Sequence, residues 1–145
     1  MSQLTLHDLA TKMAEIDFAM LSTRSLNGKI AARPMSNNRD VEYDGDSYFF
    51  TLEETHTVQE IKADATVALT FTSSANPDGA PPLFVAVEGR AELIREKPAM
   101  KDHWNEDIEK WFSEGFETPG IVLIKVRAER IHYWMGEDDG EITPD

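Results

Sequence analysis

The sequence predicts a mainly β fold: an antiparallel barrel or sandwich with helices packed on its outside. Strand-like segments outnumber helix-like ones along the 145 residues. Neighbouring strand segments are joined by hairpin signals, Asn27-Gly28 above all and then Asp44-Gly45-Asp46. Hairpins make antiparallel neighbours, and such sheets bury their apolar face by closing, by stacking or under helices. No repeat, low-complexity stretch or linker marks a boundary, so residues 1–145 read as one domain.

Thr5 is placed to cap a first helix, with Asp8 three residues on near its positive end. Leu6, Leu9, Met13 and Ile16 then recur at spacings of three and four, which gives one apolar face. Residues 18–23 read as a strand, and Asn27-Gly28 turns it into a second strand over 29–36. Pro34 has no N–H to donate, so this second strand belongs at an edge, a bulge or a strand end. The Asp44-Gly45 turn leads into 47–52, predicted to pair with 29–36 as a hairpin. A short helix to about Lys62 follows, with Thr57 as its cap and Glu60 three residues later. Thr66–Thr72 alternates β-branched and apolar residues and reads as a strand. Residues 73–82 form a loop around Asn76-Pro77-Asp78-Gly79. Leu83–Ile94 is a long strand, with Gly89 marking a bulge or a close approach. Pro98 opens a helix carrying Met100, Lys101 and Trp104, and a second helical piece holds Ile108, Trp111 and Phe112. After a loop over 115–120, Ile121–Met135 is the longest strand. From Gly136 the chain is acidic without an apolar period, which predicts a frayed or solvated tail.

Hydrophobic residues make up 41% and charged residues 28%, the balance of a folded, soluble chain rather than a disordered one. The formal charge of -13 argues against nucleic acid or an anionic membrane as partner, since both need a positive surface. It also means that any anion site must be a local cationic island. The absence of cysteine excludes disulfides, thiolate metal sites and cysteine nucleophiles. No apolar run approaches the roughly 18 residues of a membrane span, and the N-terminus does not read as a leader. The expected location is the cytoplasm.

His7, His56, His103 and His132 form no metal-ligand spacing, and His7 and His103 read as helix-surface residues. There is no GxSxG elbow, GxGxxG turn or P-loop, and no general acid or base stands out. Trp104, Trp111 and Trp134 read as anchors in a core or an interface. The informative stretch is 29–61. It carries Arg33 late in one strand, Thr51 at the end of the next, and a helix start. Hydroxyls and free N–H groups at a helix N-terminus suit an anion, so this corner is a candidate phosphate cradle. The alternative is an ordinary hairpin whose Arg33 pairs with a surface carboxylate.

Arg33-Pro34-Met35, then Tyr48-Phe49-Phe50-Thr51, Val58-Gln59-Glu60-Ile61 and the 84–91 run Phe-Val-Ala-Val-Glu-Gly-Arg-Ala occur in that order. Together they resemble the pyridoxamine 5′-phosphate oxidase-like family, most closely its general-stress-protein branch. Residues 129–136, Glu-Arg-Ile-His-Tyr-Trp-Met-Gly, resemble the family's Glu-Arg-Ile-Glu-Phe-Trp-x-Gly run. The resemblance covers nearly the whole chain. It implies a split antiparallel β-barrel with peripheral helices, homodimeric, binding FMN at the dimer interface. Arg33 matches the arginine facing the FMN phosphate and ribityl region. Pro34, Met35 and Ser36 match the strand whose backbone runs along the ring. Phe50 and Thr51 match the aromatic-threonine pair beside the cofactor, and His56 and Thr57 fall where the family holds the phosphate with Ser/Arg and Lys. Trp134 matches the tryptophan that reaches the ring from the other protomer.

Two departures stand out. The phosphate lysine is replaced by Thr57, which leaves His56 and Arg39 as nearby substitutes. The Arg-x-His substrate pair of true pyridoxamine phosphate oxidases is replaced by Glu137-Asp138-Asp139-Gly140-Glu141, which would repel a phosphorylated substrate. The resemblance therefore implies a flavin-binding protein, with flavin-dependent oxidoreductase chemistry linked to stress response, rather than the vitamin-making enzyme. A reading from a different class is a flavin-free dimeric module that binds another small ligand or acts through partners.

Overall fold

The computed structural model describes residues 4–37, 43–73, 79–112 and 114–144. Helix α1 (Leu6–Met13) starts at Thr5, whose hydroxyl accepts from the Asp8 N–H while the Asp8 carboxylate accepts from the Thr5 N–H. This capping box satisfies end groups that an isolated helix leaves open. Strands β1 (Phe18–Arg24) and β2 (Ile30–Ser36) follow, then β3 (Asp46–Leu52), α2 (His56–Ala63), β4 (Thr66–Thr72) and β5 (Leu83–Ile94). Short helices α3 (Lys97–Lys101) and α4 (Glu106–Glu109) and a 3-10 turn at Gly115–Glu117 lead to β6 (Ile121–Met135) and β7 (Asp138–Ile142).

All pairings are antiparallel, in the order β2-β1-β4-β5-β6-β3, with β7 also on β6. Alternate residues of β1, β4 and β5 are buried, as in a sheet with one wet face. Their inward residues, Leu21, Leu69, Phe71, Val85 and Val87 among them, form one core with Leu9 and Met13 of α1. Met35 of β2 and Phe49 of β3 join that same core, although β2 and β3 end the strand order. The sheet therefore curls until its two ends flank one space. A smaller core, Met100, Ile121 and Leu123 with Tyr48, Phe50, Trp104 and Phe112, seats the α3–α4 segment against β3 and β6. No helix among the described residues is long and apolar enough to cross a membrane.

Several expectations need correction, among them that Trp104, Trp111 and Phe112 lie in helices: α3 ends at Lys101 and α4 at Glu109. The predicted hairpin between 29–36 and 47–52 does not form among the described residues: β3 pairs with β6, from Asp46 opposite Arg127 to Leu52 opposite Ile121. The connection 37–45 is longer than the two to five residues of a hairpin loop, which lets β3 cross to the other end of the sheet. The cap of α2 is Thr55, with Thr57 inside the first turn. The acidic segment after Gly136 is not frayed, because β7 pairs with β6 and Ile142 packs on the core. His103 is not a helix-surface residue: it stacks on Tyr48 at 3.6 Å, and burial pushes its imidazole pKa down.

The register of β5 against β6 shifts between Glu88 and Gly89. A side chain on Gly89 would meet the Arg127 carbonyl, a backbone group that cannot swing aside. Gly89→Ala is therefore expected to cost about 2 kcal/mol, and a thermal melt followed by circular dichroism should fall by roughly 4–8 °C. An unchanged melting temperature would mean that the strand pair slides to accept the methyl group.

Candidate functional site

The space between the two ends of the curled sheet is a cavity of about 390 Å³, within the usual range for small-molecule sites. β2 contributes Arg33, Pro34, Met35 and Ser36, and β3 contributes the run from Tyr48 to Leu52. Phe18 of β1 stands at one side, and Ile108, Trp111 and Phe112, in and just after α4, stand at another. The walls are thus mostly apolar and rich in aromatic side chains. Trp111 meets Phe18 edge to face at 6.4 Å although its own side chain is 63% exposed, which puts this pair at the mouth.

The polar groups gather around the start of α2. Thr55 caps the helix: its hydroxyl accepts from the Val58 N–H and donates to the Leu52 carbonyl at 2.9 Å. It also lies 3.5 Å from the Thr51 hydroxyl. Thr51, Thr55 and Thr57 all line the cavity. The first N–H groups of a helix, here of His56 and Thr57, have no acceptor within it.

Arg33 reaches the same helix from β2. Its Nη1 donates to the Leu21 carbonyl at 3.1 Å and to the Thr23 hydroxyl at 2.8 Å. Its Nη2 donates to Oε1 of Glu60 at 3.1 Å, and the Thr23 hydroxyl donates to the same oxygen at 2.7 Å. Glu60 is 7% exposed and Thr23 1%, so two corners of this closed triangle are buried, and Arg33, part-buried, is the third. Arg33 accordingly has a carboxylate partner, a buried one rather than the surface group considered from sequence. Its Nε–H and second Nη2–H make no hydrogen bond to the described residues, and the side chain still lines the cavity.

Of the nine residues singled out from sequence, Arg33, Pro34, Met35, Ser36, Phe50, Thr51 and Thr57 come together around this cavity. His56 does not line it and is exposed. Trp134 does not line it either. It is 42% exposed on the outer face of β6 and stacks on His132 at 4.1 Å. Arg39 lies outside the described residues. The acidic run of β7 does not line the cavity within one chain; His132 contacts Asp139 at 3.1 Å and Glu141 at 3.5 Å. Sequence reasoning missed the wall from Ile108, Trp111 and Phe112, and it missed Glu60. The signal for Glu60 was a carboxylate between Val58 and Ile61 on the apolar side of a short helix.

Residues 5–143 match the model of the family described as pyridoxamine 5'-phosphate oxidase like. The chain belongs to this family. Among solved structures, a protein related to general stress protein 26 from Clostridium acetobutylicum shares 15% identity at a TM-score of 0.76, over 93% of this chain and 92% of that one. General stress protein 26 from Bacillus anthracis shares 20% at a TM-score of 0.72, over 96% and 100%. A heme binding protein from Mycobacterium smegmatis shares 13% at 0.75, over 99% of this chain and 60% of the other. At these identities the likeness speaks for the fold. No curated protein matches the sequence. Within the pyridoxamine 5'-phosphate oxidase-like fold, the cavity between β2 and β3 is the candidate site.

Removing Arg33 would leave Glu60 buried without its cation. Arg33→Ala is expected to lower the unfolding free energy in urea by on the order of 3 kcal/mol. Arg33→Ala combined with Glu60→Gln should recover part of that loss, because the uncompensated charge is gone. Strictly additive losses would show that the two side chains are not coupled.

Proposed function

We propose that the chain is a flavin-binding protein, holding FMN in the cavity between β2 and β3 of a homodimer, with flavin-dependent oxidoreductase chemistry. The observation that supports this best is the cavity itself. Aromatic walls face a backbone segment, Pro34 to Ser36, and Arg33, three threonine hydroxyls and a helix start lie on the polar side. Pro34 donates no backbone N–H, which leaves that part of the β2 edge to side-chain and ring packing. The ring system would lie among Phe50, Trp111 and the β2 backbone. The phosphate would take Arg33, Thr51, Thr55, Thr57 and the α2 N–H groups. A bound flavin supplies the electron-transfer chemistry. The residues of the chain bind and orient it and shield one side from water.

The outer face of the sheet supports the dimer. Phe84 sits opposite Thr72 on one side and Trp134 on the other, and Phe18 and Met20 point outward from β1. These four side chains are 40–51% exposed. Phe18 also lines the cavity, so the apolar face runs into the mouth. A second copy packed there would cover it and bring its own Trp134 towards the ring. Oxidation of pyridoxamine phosphate is not part of the proposal, because the segment that would meet that substrate is the acidic β7.

An absorbance spectrum with and without added FMN, with light scattering on the same sample, tests both halves. Expected are a shifted flavin band with quenched fluorescence, and a particle of twice 16.4 kDa. A monomer at micromolar concentration would remove the shared site. An unshifted spectrum would favour the flavin-free module, for which the neutralised Arg33 speaks.

The missing phosphate lysine gives a separate handle. Thr57 lines the cavity, so Thr57→Lys adds a cation there and is expected to tighten FMN about tenfold or more by fluorescence titration. No gain would mean that other groups already saturate the phosphate.

A further inference from the structure

We propose that Glu60 sets the charge this cavity accepts: by holding Arg33 in a buried ion pair, it leaves the phosphate corner formally neutral, so that phosphorylated and unphosphorylated flavins bind with similar affinity. This rests on the flavin reading above and adds a specificity-determining residue to it. Arg33 is the one cationic side chain lining the cavity among the described residues. Its charge is met by the Glu60 carboxylate at 3.1 Å, and that carboxylate is locked in place by Thr23. Three further cations near α2 among the described residues are engaged elsewhere. Lys62 contacts Glu53 at 3.4 Å, Arg95 contacts Glu53 at 2.6 Å, and Arg24 contacts Asp64 at 3.8 Å. None of them lines the cavity, and Thr57 stands where a lysine would add charge.

A phosphate reaching the open N–H groups of Arg33 would therefore also feel Glu60 just behind them. Coulomb energies fall only as the inverse of distance, so in a poorly solvated corner the repulsion offsets much of the attraction. Burial of such a pair adds little net stability by itself, since the desolvation of both charges opposes their attraction. A carboxylate kept there acts instead on whatever else binds Arg33. What remains for a phosphate is uncharged, the threonine hydroxyls and the α2 N–H groups, each worth less than a free cation, so the ring and its aromatic walls carry most of the affinity.

The test compares FMN and riboflavin by fluorescence titration at low salt, using the full chain. The wild-type protein should bind the two within about threefold of each other. Glu60→Gln keeps the side-chain size and an acceptor for Thr23, and it should tighten FMN about tenfold or more while riboflavin stays unchanged. In Arg33→Gln combined with Glu60→Gln, which again has no net charge, the two affinities should converge. A wild-type preference for FMN of tenfold or more overturns the inference without any variant. So does a Glu60→Gln protein that loses FMN or shifts both ligands equally, since Glu60 would then only orient Arg33. In both cases flavin binding stands. If neither flavin binds the wild type or Glu60→Gln, the flavin reading falls and this inference falls with it.

Discussion

The length of β6 constrains the whole molecule. It is fifteen residues long and pairs with β5 along almost all of them. Its other edge is shared: the first half takes β3, and the second half takes β7. β3 gives one edge to β6, and its other edge does not pair with β2, its nearest neighbour in the chain among the strands before it. The two ends of the sheet then face one another unpaired across a gap. That gap is the cavity. The β3–β6 pairing on one side of the barrel thus leaves the cavity on the other.

Most strands were legible as segments because local pattern determines them. Thr66–Thr72, Leu83–Ile94 and Ile121–Met135 have the bounds expected from their alternation, and the bulge falls at Gly89 as its lack of a side chain suggests. Pairing was less legible, because it depends on partners far apart in sequence. Nothing within 47–52 says that its partner lies at 121–126. β7 was illegible for a related reason. Asp138, Asp139 and Glu141 have no strand propensity of their own. They are held by the β6 edge and by cross-strand contacts such as Arg130 with Glu141 and His132 with Asp139. The cap of α2 was displaced by two residues, since Thr55 and Thr57 are equally good capping types and only the path of the chain decides between them.

The candidate site was legible where its residues are contiguous. Arg33 to Ser36 and Phe50 to Thr51 lie on two strands, so placing those strands places them together. The α4 wall arrives from a distant segment and carries no motif. Glu60 was hidden differently. As a helix residue three positions after a threonine, it looked like half of a capping box. Its carboxylate instead turns inward to Arg33 and Thr23. The two sequence readings of Arg33, ligand contact and carboxylate partner, were posed as alternatives. Three of its five N–H groups are spent on Leu21, Thr23 and Glu60, and the remaining two leave room for a ligand.

Phe18 ties the cavity to the proposed dimer. It is half exposed in one chain, lines the cavity, meets Trp111 and belongs to the outer apolar face. A second copy covering that face would bury Phe18 and narrow the mouth that Phe18 and Trp111 frame. A ring ligand would bury the same side chains from within. Each event would then remove apolar surface that the other leaves exposed, and both would order the Phe18–Trp111 pair. Association and ligand binding that share side chains in this way are linked, and the linkage is reciprocal: whatever factor the ligand adds to dimerisation, dimerisation adds to ligand affinity. The sheet's outer face and its cavity are therefore better regarded as one surface bent around β1 than as two separate features.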